Sequence, residues 1–138
     1  MSKTYYLGFD PGQDKCGLAI VTEFQQVITH RVVLADQALN VINQVLTTYK
    51  IQAIIIGNQT TSKTWQKKLK EGVSQEIVIK TVNERNSTLE ARDRYWQMFP
   101  PQGLTKLLPP GLRQPPRPID DIVAILLVER YLKAVRSD

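Results

Sequence analysis

Residues 38–57, ALNVINQVLTTYKIQAIIIG, mark the point where the chain changes its periodicity. Ala38, Ile42, Val45 and Tyr49 recur at three and four residues, as do Leu39, Ile42, Leu46 and Tyr49, which is the spacing of one helix face. Asp36, just ahead of them, is expected to be the N-cap. Ala53 to Gly57 is a short, wholly apolar run. Between two helices such a run reads as a parallel strand covered on both faces.

Upstream the pattern is β. Thr4–Phe9, Gly17–Thr22 and Val27–Leu34 are rich in branched and aromatic residues. Asp10-Pro11-Gly12-Gln13-Asp14 is a turn, and the short polar gaps predict a meander of antiparallel hairpins. Downstream, Thr61–Glu71 reads as a helix stopped by Gly72, and Glu76–Val82 as a fifth strand. A helix follows from Ser87 to about Met98, opened by the capping-box pattern Ser87-Thr88-Leu89-Glu90. Asp120 to about Val135 is the last helix, apolar on nearly every side in its first half and therefore expected to pack deeply. Hairpins followed by βαβ crossovers predict an α/β fold: a mixed five-stranded sheet, three antiparallel strands then βαβα, flanked by helices.

One stretch breaks the rhythm. Phe99–Pro118 holds seven of the eight prolines and no acidic residue, so it reads as a long, irregular, basic loop. The 138 residues fit a single domain spanning 1–138. No apolar run approaches the roughly 20 residues needed to cross a bilayer, the N-terminus lacks a secretory signal, and Cys16 has no partner for a disulfide. These features predict a cytoplasmic protein without a membrane partner. A net charge of +5 favours polyanions, nucleic acid foremost.

The acids fall at element ends. Asp10 closes the first strand, Glu84 follows the fifth, and Asp120 and Asp121 begin the last helix. Each has a plain structural reading: a turn starter, a solvated loop acid, a pair of capping residues. Their shared position offers another. Carboxylates converging at strand ends are what a Mg²⁺-dependent phosphodiesterase needs, because Mg²⁺ prefers oxygen ligands and can stabilise attacking and leaving oxygens. Glu90 is assigned to its cap, His30 to a structural role and Cys16 to packing. Tyr5, Tyr6, Tyr95 and Trp96 are read as core fillers. Lys63, Lys67, Lys68 and Lys70 read as a solvated face with Trp65 turned inward. Lys106, Arg113 and Arg117, in the acid-free loop, are candidates to guide a nucleic-acid backbone.

Three blocks also resemble one family. Leu7-Gly8-Phe9-Asp10-Pro11-Gly12 with Gly17-Leu18-Ala19-Ile20 looks like the opening of the bacterial YqgF/RuvX family. Asn83-Glu84-Arg85-Asn86-Ser87-Thr88-Leu89-Glu90-Ala91 resembles its Asp-Glu-Arg-x-Ser/Thr-Thr-x-Glu-Ala segment, and Ile119–Leu127 its closing Val-Asp-Ser block. The resemblance implies a ribonuclease-H-like fold related to the RuvC resolvases, and a metal-dependent nuclease acting on pre-16S ribosomal RNA or on branched DNA. It implies Asp10, Glu84 and Asp120 as catalytic residues and ligands of Mg²⁺ (or Mn²⁺). Asp121, at the family's Ser position, is an auxiliary metal carboxylate, and Arg85 a phosphate contact. The chain departs from the pattern in having Asn83 for Asp and no acid in Gly57-Asn58-Gln59-Thr60. The family fold puts the fourth strand beside the first and the fifth beyond it, which starts Glu84 about 9–10 Å from Asp10. Junction cutting implies a homodimer, RNA cutting a monomer or a homodimer. A degenerate binding domain and a sugar-kinase-like ATPase remain as alternatives, the ATPase requiring a second such domain.

Overall fold

The computed structural model describes residues 3–59 and 61–136. Three antiparallel strands come first: β1 (Tyr5–Asp10), β2 (Lys15–Thr22) and β3 (Val27–Leu34). Helix α1 (Ala38–Thr48) returns the chain to β4 (Ile51–Gly57), which pairs parallel to β1 with Phe9 opposite Ile56. Helix α2 (Thr61–Gly72) leads to β5 (Ile79–Val82), parallel to β4. Helices α3 (Ser87–Met98) and α4 (Asp120–Arg136) complete the chain, and the strand order is β3-β2-β1-β4-β5. No described helix is long and apolar enough to cross a membrane.

The period of two along the strands sorts side chains to two faces. Leu7, Phe9, Ile54 and Ile56 face α1 and α2, where they meet Ile42, Trp65 and Leu69. Phe9 takes the edge of the Trp65 ring at 5.0 Å, and Lys68 Nζ covers that ring at 4.5 Å. The other face carries Ala19, Val21, Ala53 and Ile55 against α4, which is buried without interruption from Asp121 to Val128. At Gly8 and Gly17 the helix α4 lies almost on the sheet backbone. A Cβ at Gly8 would collide with the Ala124 carbonyl, and one at Gly17 with the Asp120 carbonyl.

Local end signals are where the sequence misleads. Asp36 does not cap α1. It sits in a short 3₁₀ turn, Ala35–Gln37, and Gln37 occupies the cap position without a side-chain bond. The Ser87/Glu90 capping box does not form either. Asn86 is the N-cap residue at φ 61°, Ser87 is already helical, and Glu90 pairs with Arg130 on α4 at 2.9 Å. An αL residue at the cap points the chain in from a direction the box cannot satisfy. Strand β5 is shorter than the expected Glu76–Val82. Ser74 N–H donates to Asn43 and Gln75 Nε2 to the Leu46 carbonyl, so this segment follows α1 and meets the sheet only near Val78. The Pro-rich arm between α3 and α4 is less irregular than expected. It contains 3₁₀ turns at Gly103–Leu107 and Pro110–Leu112, tied together by Arg113 donating to the Leu108 and Lys106 carbonyls.

Candidate functional site

Strand β1 ends on Asp10, whose cross-strand partner on β2 is Gly17. The first turn of α4 rests on Gly17, which brings Asp120 beside Asp10's strand from one side. On the other side β4 ends on Gly57. The Glu84 carboxyl folds back from beyond β5 into the space a Cβ of Gly57 would fill, and Oε1 accepts the Gln59 backbone N–H at 3.0 Å. Two glycines therefore flank the end of β1, and each admits an acidic residue from a distant part of the chain. The gap of two strands that separates β5 from β1 is shortened by this fold-back to one. Asp10, Glu84, Thr88 and Val123 border a small open cleft of about 290 Å³ at this end of the sheet.

The electrostatics follow from that crowding. Burial pushes the Asp10 carboxyl up to about 7, and the charges of Asp120 and Glu84 add to the shift. Burial also raises Asp120, with Asp121 adding to the rise, while Asp120's own backbone N–H and Lys15 oppose it. The causes acting on Asp10 are desolvation and repulsion, and both oppose its ionised form. Among the described residues no three acidic, His or Cys side chains already stand at the spacing of a finished metal cage.

Asp121 is in a different situation. It is 2 % exposed, and its carboxylate is fully engaged. Oδ2 accepts from His30 Nδ1 at 2.6 Å, and Oδ1 from Arg117 Nη1 and the Ile122 backbone N–H, both at 3.0 Å. Burial would raise it, but the Arg117 and His30 hydrogen bonds outweigh that and hold it below the usual carboxylate range. Its expected part as an auxiliary metal carboxylate is therefore at odds with its contacts, since both oxygens are already taken. Arg117, expected to face a nucleic-acid backbone, is spent on Asp121 and lies over the Tyr95 and Phe99 rings at 5.4 and 5.6 Å. Arg113 is spent on the arm itself. Arg85 and Lys106 remain exposed. His30, assigned only a structural role, has a buried carboxylate partner 91 residues away, which no local pattern in the sequence could announce.

The RuvX family model, described as Holliday junction resolvase, matches residues 4–134. The chain belongs to the RuvX family. Among solved structures it is similar to RuvC of Thermus thermophilus at 13 % identity and a TM-score of 0.52, covering 97 % of this chain and 95 % of that one. A second structure, T. thermophilus RuvC in complex with Holliday junction substrate, matches at 17 % identity and a TM-score of 0.52, covering 97 % and 96 %. A search of curated proteins gives no significant match. These RuvC relatives share only the fold at such identities, and that fold is the ribonuclease-H-like one read from the sequence. In this RuvX chain the glycine at the end of β4 is a signal that sequence reasoning passed over. An apolar strand that ends on glycine beside the site has made room for something, here Glu84.

Adding a methyl group there tests the arrangement. The obstacle at Gly57 is the far end of a flexible side chain, so Gly57→Ala is expected to fold with a melting temperature close to wild type. It is also expected to displace the Glu84 carboxylate and lower nuclease activity by about tenfold or more. Thermal melts and single-turnover cleavage side by side check both halves.

Proposed function

We propose that this RuvX protein is a divalent-metal-dependent endonuclease that hydrolyses phosphodiester bonds in branched or structured nucleic acid, in the cytoplasm. The observation that carries the reading is the convergence of Asp10, Glu84 and Asp120 at one end of the sheet, with Asp10 driven up to about 7 by burial and by its two acidic neighbours. Three carboxylates on three separate elements are hard oxygen donors, and a Mg²⁺ or Mn²⁺ ion held by Asp10, Glu84 and Asp120 would relieve the repulsion among them. When bound, such an ion supplies Lewis acidity toward the phosphate and makes water a better nucleophile. The chain does the rest. The Gln59 N–H holds Glu84 in direction and α4 fixes Asp120 over Gly17, while exposed Arg85, next to Glu84 in the chain, would take a phosphate oxygen. Lys106 on the arm adds a second contact for the backbone. The RuvC relative solved with Holliday junction substrate makes a four-way DNA junction the first substrate to test, and a pre-16S ribosomal RNA fragment the second. Symmetric cutting of a junction would take two copies of the chain.

The deciding experiment offers both substrates in Mg²⁺ and in Mn²⁺. Metal-dependent cutting that disappears with Glu84→Gln in a folded protein is the expected result. Salt-sensitive binding without any cutting would replace the enzyme with a binding domain of the same fold.

A further inference from the structure

His30, Asp121 and Arg117 join three separate parts of the chain. His30 is on β3, opposite Ala19 of β2, on the sheet face that α4 covers. Asp121 is in the first turn of α4, next to Asp120. Arg117 is at the end of the Pro-rich arm, and Phe99, where the arm begins, lies 5.0 Å from the Tyr95 ring and 6.5 Å from the His30 ring. Both roots of the arm and the start of α4 are thus gathered around one buried carboxylate. A carboxylate so deeply buried is stable only while its donors stay in place, since removing one leaves it uncompensated.

We propose that His30 and Arg117 are positioning residues, closing a clasp on Asp121 that sets the direction of the Asp120 carboxylate and the root of the arm together. The inference rests on the nuclease reading for its catalytic consequence, but its geometry stands on the three side chains alone. The first turn of α4 has a single orientation when Asp121 is bound from β3 on one side and from the arm on the other. Without either donor the turn can swing about Gly17, which has no side chain to stop it, and Asp120 loses its aim. The arm loses its anchor by the same event, so the arm and a site carboxylate are ordered as one unit.

The test uses the full chain with His30→Ala, His30→Asn and Arg117→Met. Asn can return a donor to the place of Nδ1, and Met keeps an apolar stem over Tyr95 and Phe99 without the guanidinium. His30→Ala and Arg117→Met are each expected to lower kcat by about ten- to a hundredfold with KM changed little, as a misaimed group does. They are expected to weaken Mn²⁺ binding, measured by calorimetry without substrate, about tenfold or more. Trypsin should cut the arm at Lys106 and Arg113 several times faster. His30→Asn should recover most of each loss. Wild-type values for kcat, Mn²⁺ affinity and arm protection in both His30→Ala and Arg117→Met would overturn the proposal, as would losses that His30→Asn does not repair. If the wild type cuts no substrate, the nuclease reading fails by itself, and Mn²⁺ affinity with arm protection still decides the clasp.

Discussion

Asp10→Asn is expected to abolish cleavage and, in the absence of metal, to make the protein more stable. The first effect should reach about 10³-fold or more in kcat, equal to roughly 4 kcal/mol of transition-state stabilisation. The second follows from the same crowding. Asp10 titrates at about 7 in the folded chain, because burial and the charges of Asp120 and Glu84 disfavour its ionised form. In the unfolded chain it titrates near the ordinary value of about 4. Between these values the folded state binds more protons than the unfolded state, so this group makes stability fall as pH rises through the window. Its contribution is whole below about pH 4 and has been lost once the pH passes about 7. Asparagine has nearly the same shape and no charge to desolvate. In chelator at pH 8 the variant should therefore melt several degrees above wild type, and at pH 5 the gap should narrow. Adding Mg²⁺ or Mn²⁺ at pH 8 should raise the wild-type melting temperature and leave the variant's nearly unmoved. A variant that melts below wild type at pH 8 in chelator would falsify the crowded-carboxylate account of the site. Stability and activity are then expected to pull in opposite directions at this one residue, as they would in a fold that holds like charges together for a cation.

How much of this was legible beforehand depends on the range over which each feature is decided. The element order could be read because periodicity is local: the change from alternation to helical spacing near Ala38, and the apolar run Ala53–Gly57, need no distant information. The acids Asp10, Glu84 and Asp120 could be singled out because each ends or begins an element, and the structure gathers them at one end of the sheet. Helix caps were misread because a cap depends on the dihedral angles of one residue, and Asn86 at φ 61° is compatible with a sequence that also spells a capping box. Asp121 reads as an auxiliary carboxylate because it stands at the family's Ser position, and its burial is not visible in the sequence. On the first turn of a helix, neighbours project about 100° apart, so one acid can face the cleft while the next faces β3 and the arm. The His30–Asp121 contact lies beyond any local pattern. It exists only because β3 lies beside β2 and α4 crosses that same face.

Gly8→Ala is the substitution expected to damage the fold most for the least chemistry. A methyl group on Gly8 would overlap the Ala124 carbonyl oxygen, and it would lie 2.9 Å from the carbonyl carbon and 3.0 Å from a Val128 methyl. Two of these three atoms are backbone, so no rotamer change clears them. The sheet and α4 must separate along the face where Ala19, Val21 and Ile55 meet Ile122–Val128. Overpacking in cores typically costs about 1–3 kcal/mol, and backbone against backbone should reach or pass the top of that range. In a chain of this size that is a fall in melting temperature of about 10 °C or more. Gly17→Ala meets the Asp120 carbonyl and the Asp121 amide instead, again backbone on backbone. It acts at the end of α4, where one helical turn can move without dragging the whole core. Its stability loss should therefore be the smaller of the two and its loss of cleavage the larger, because the displaced turn carries Asp120. Gly111→Ala, with nothing within 4 Å of its added carbon, serves as the neutral control. Denaturant melts and cleavage rates on all three variants separate packing from aim. Equal stability losses at Gly8 and Gly111 would mean that α4 does not lie against β1 as closely as this arrangement of carboxylates requires.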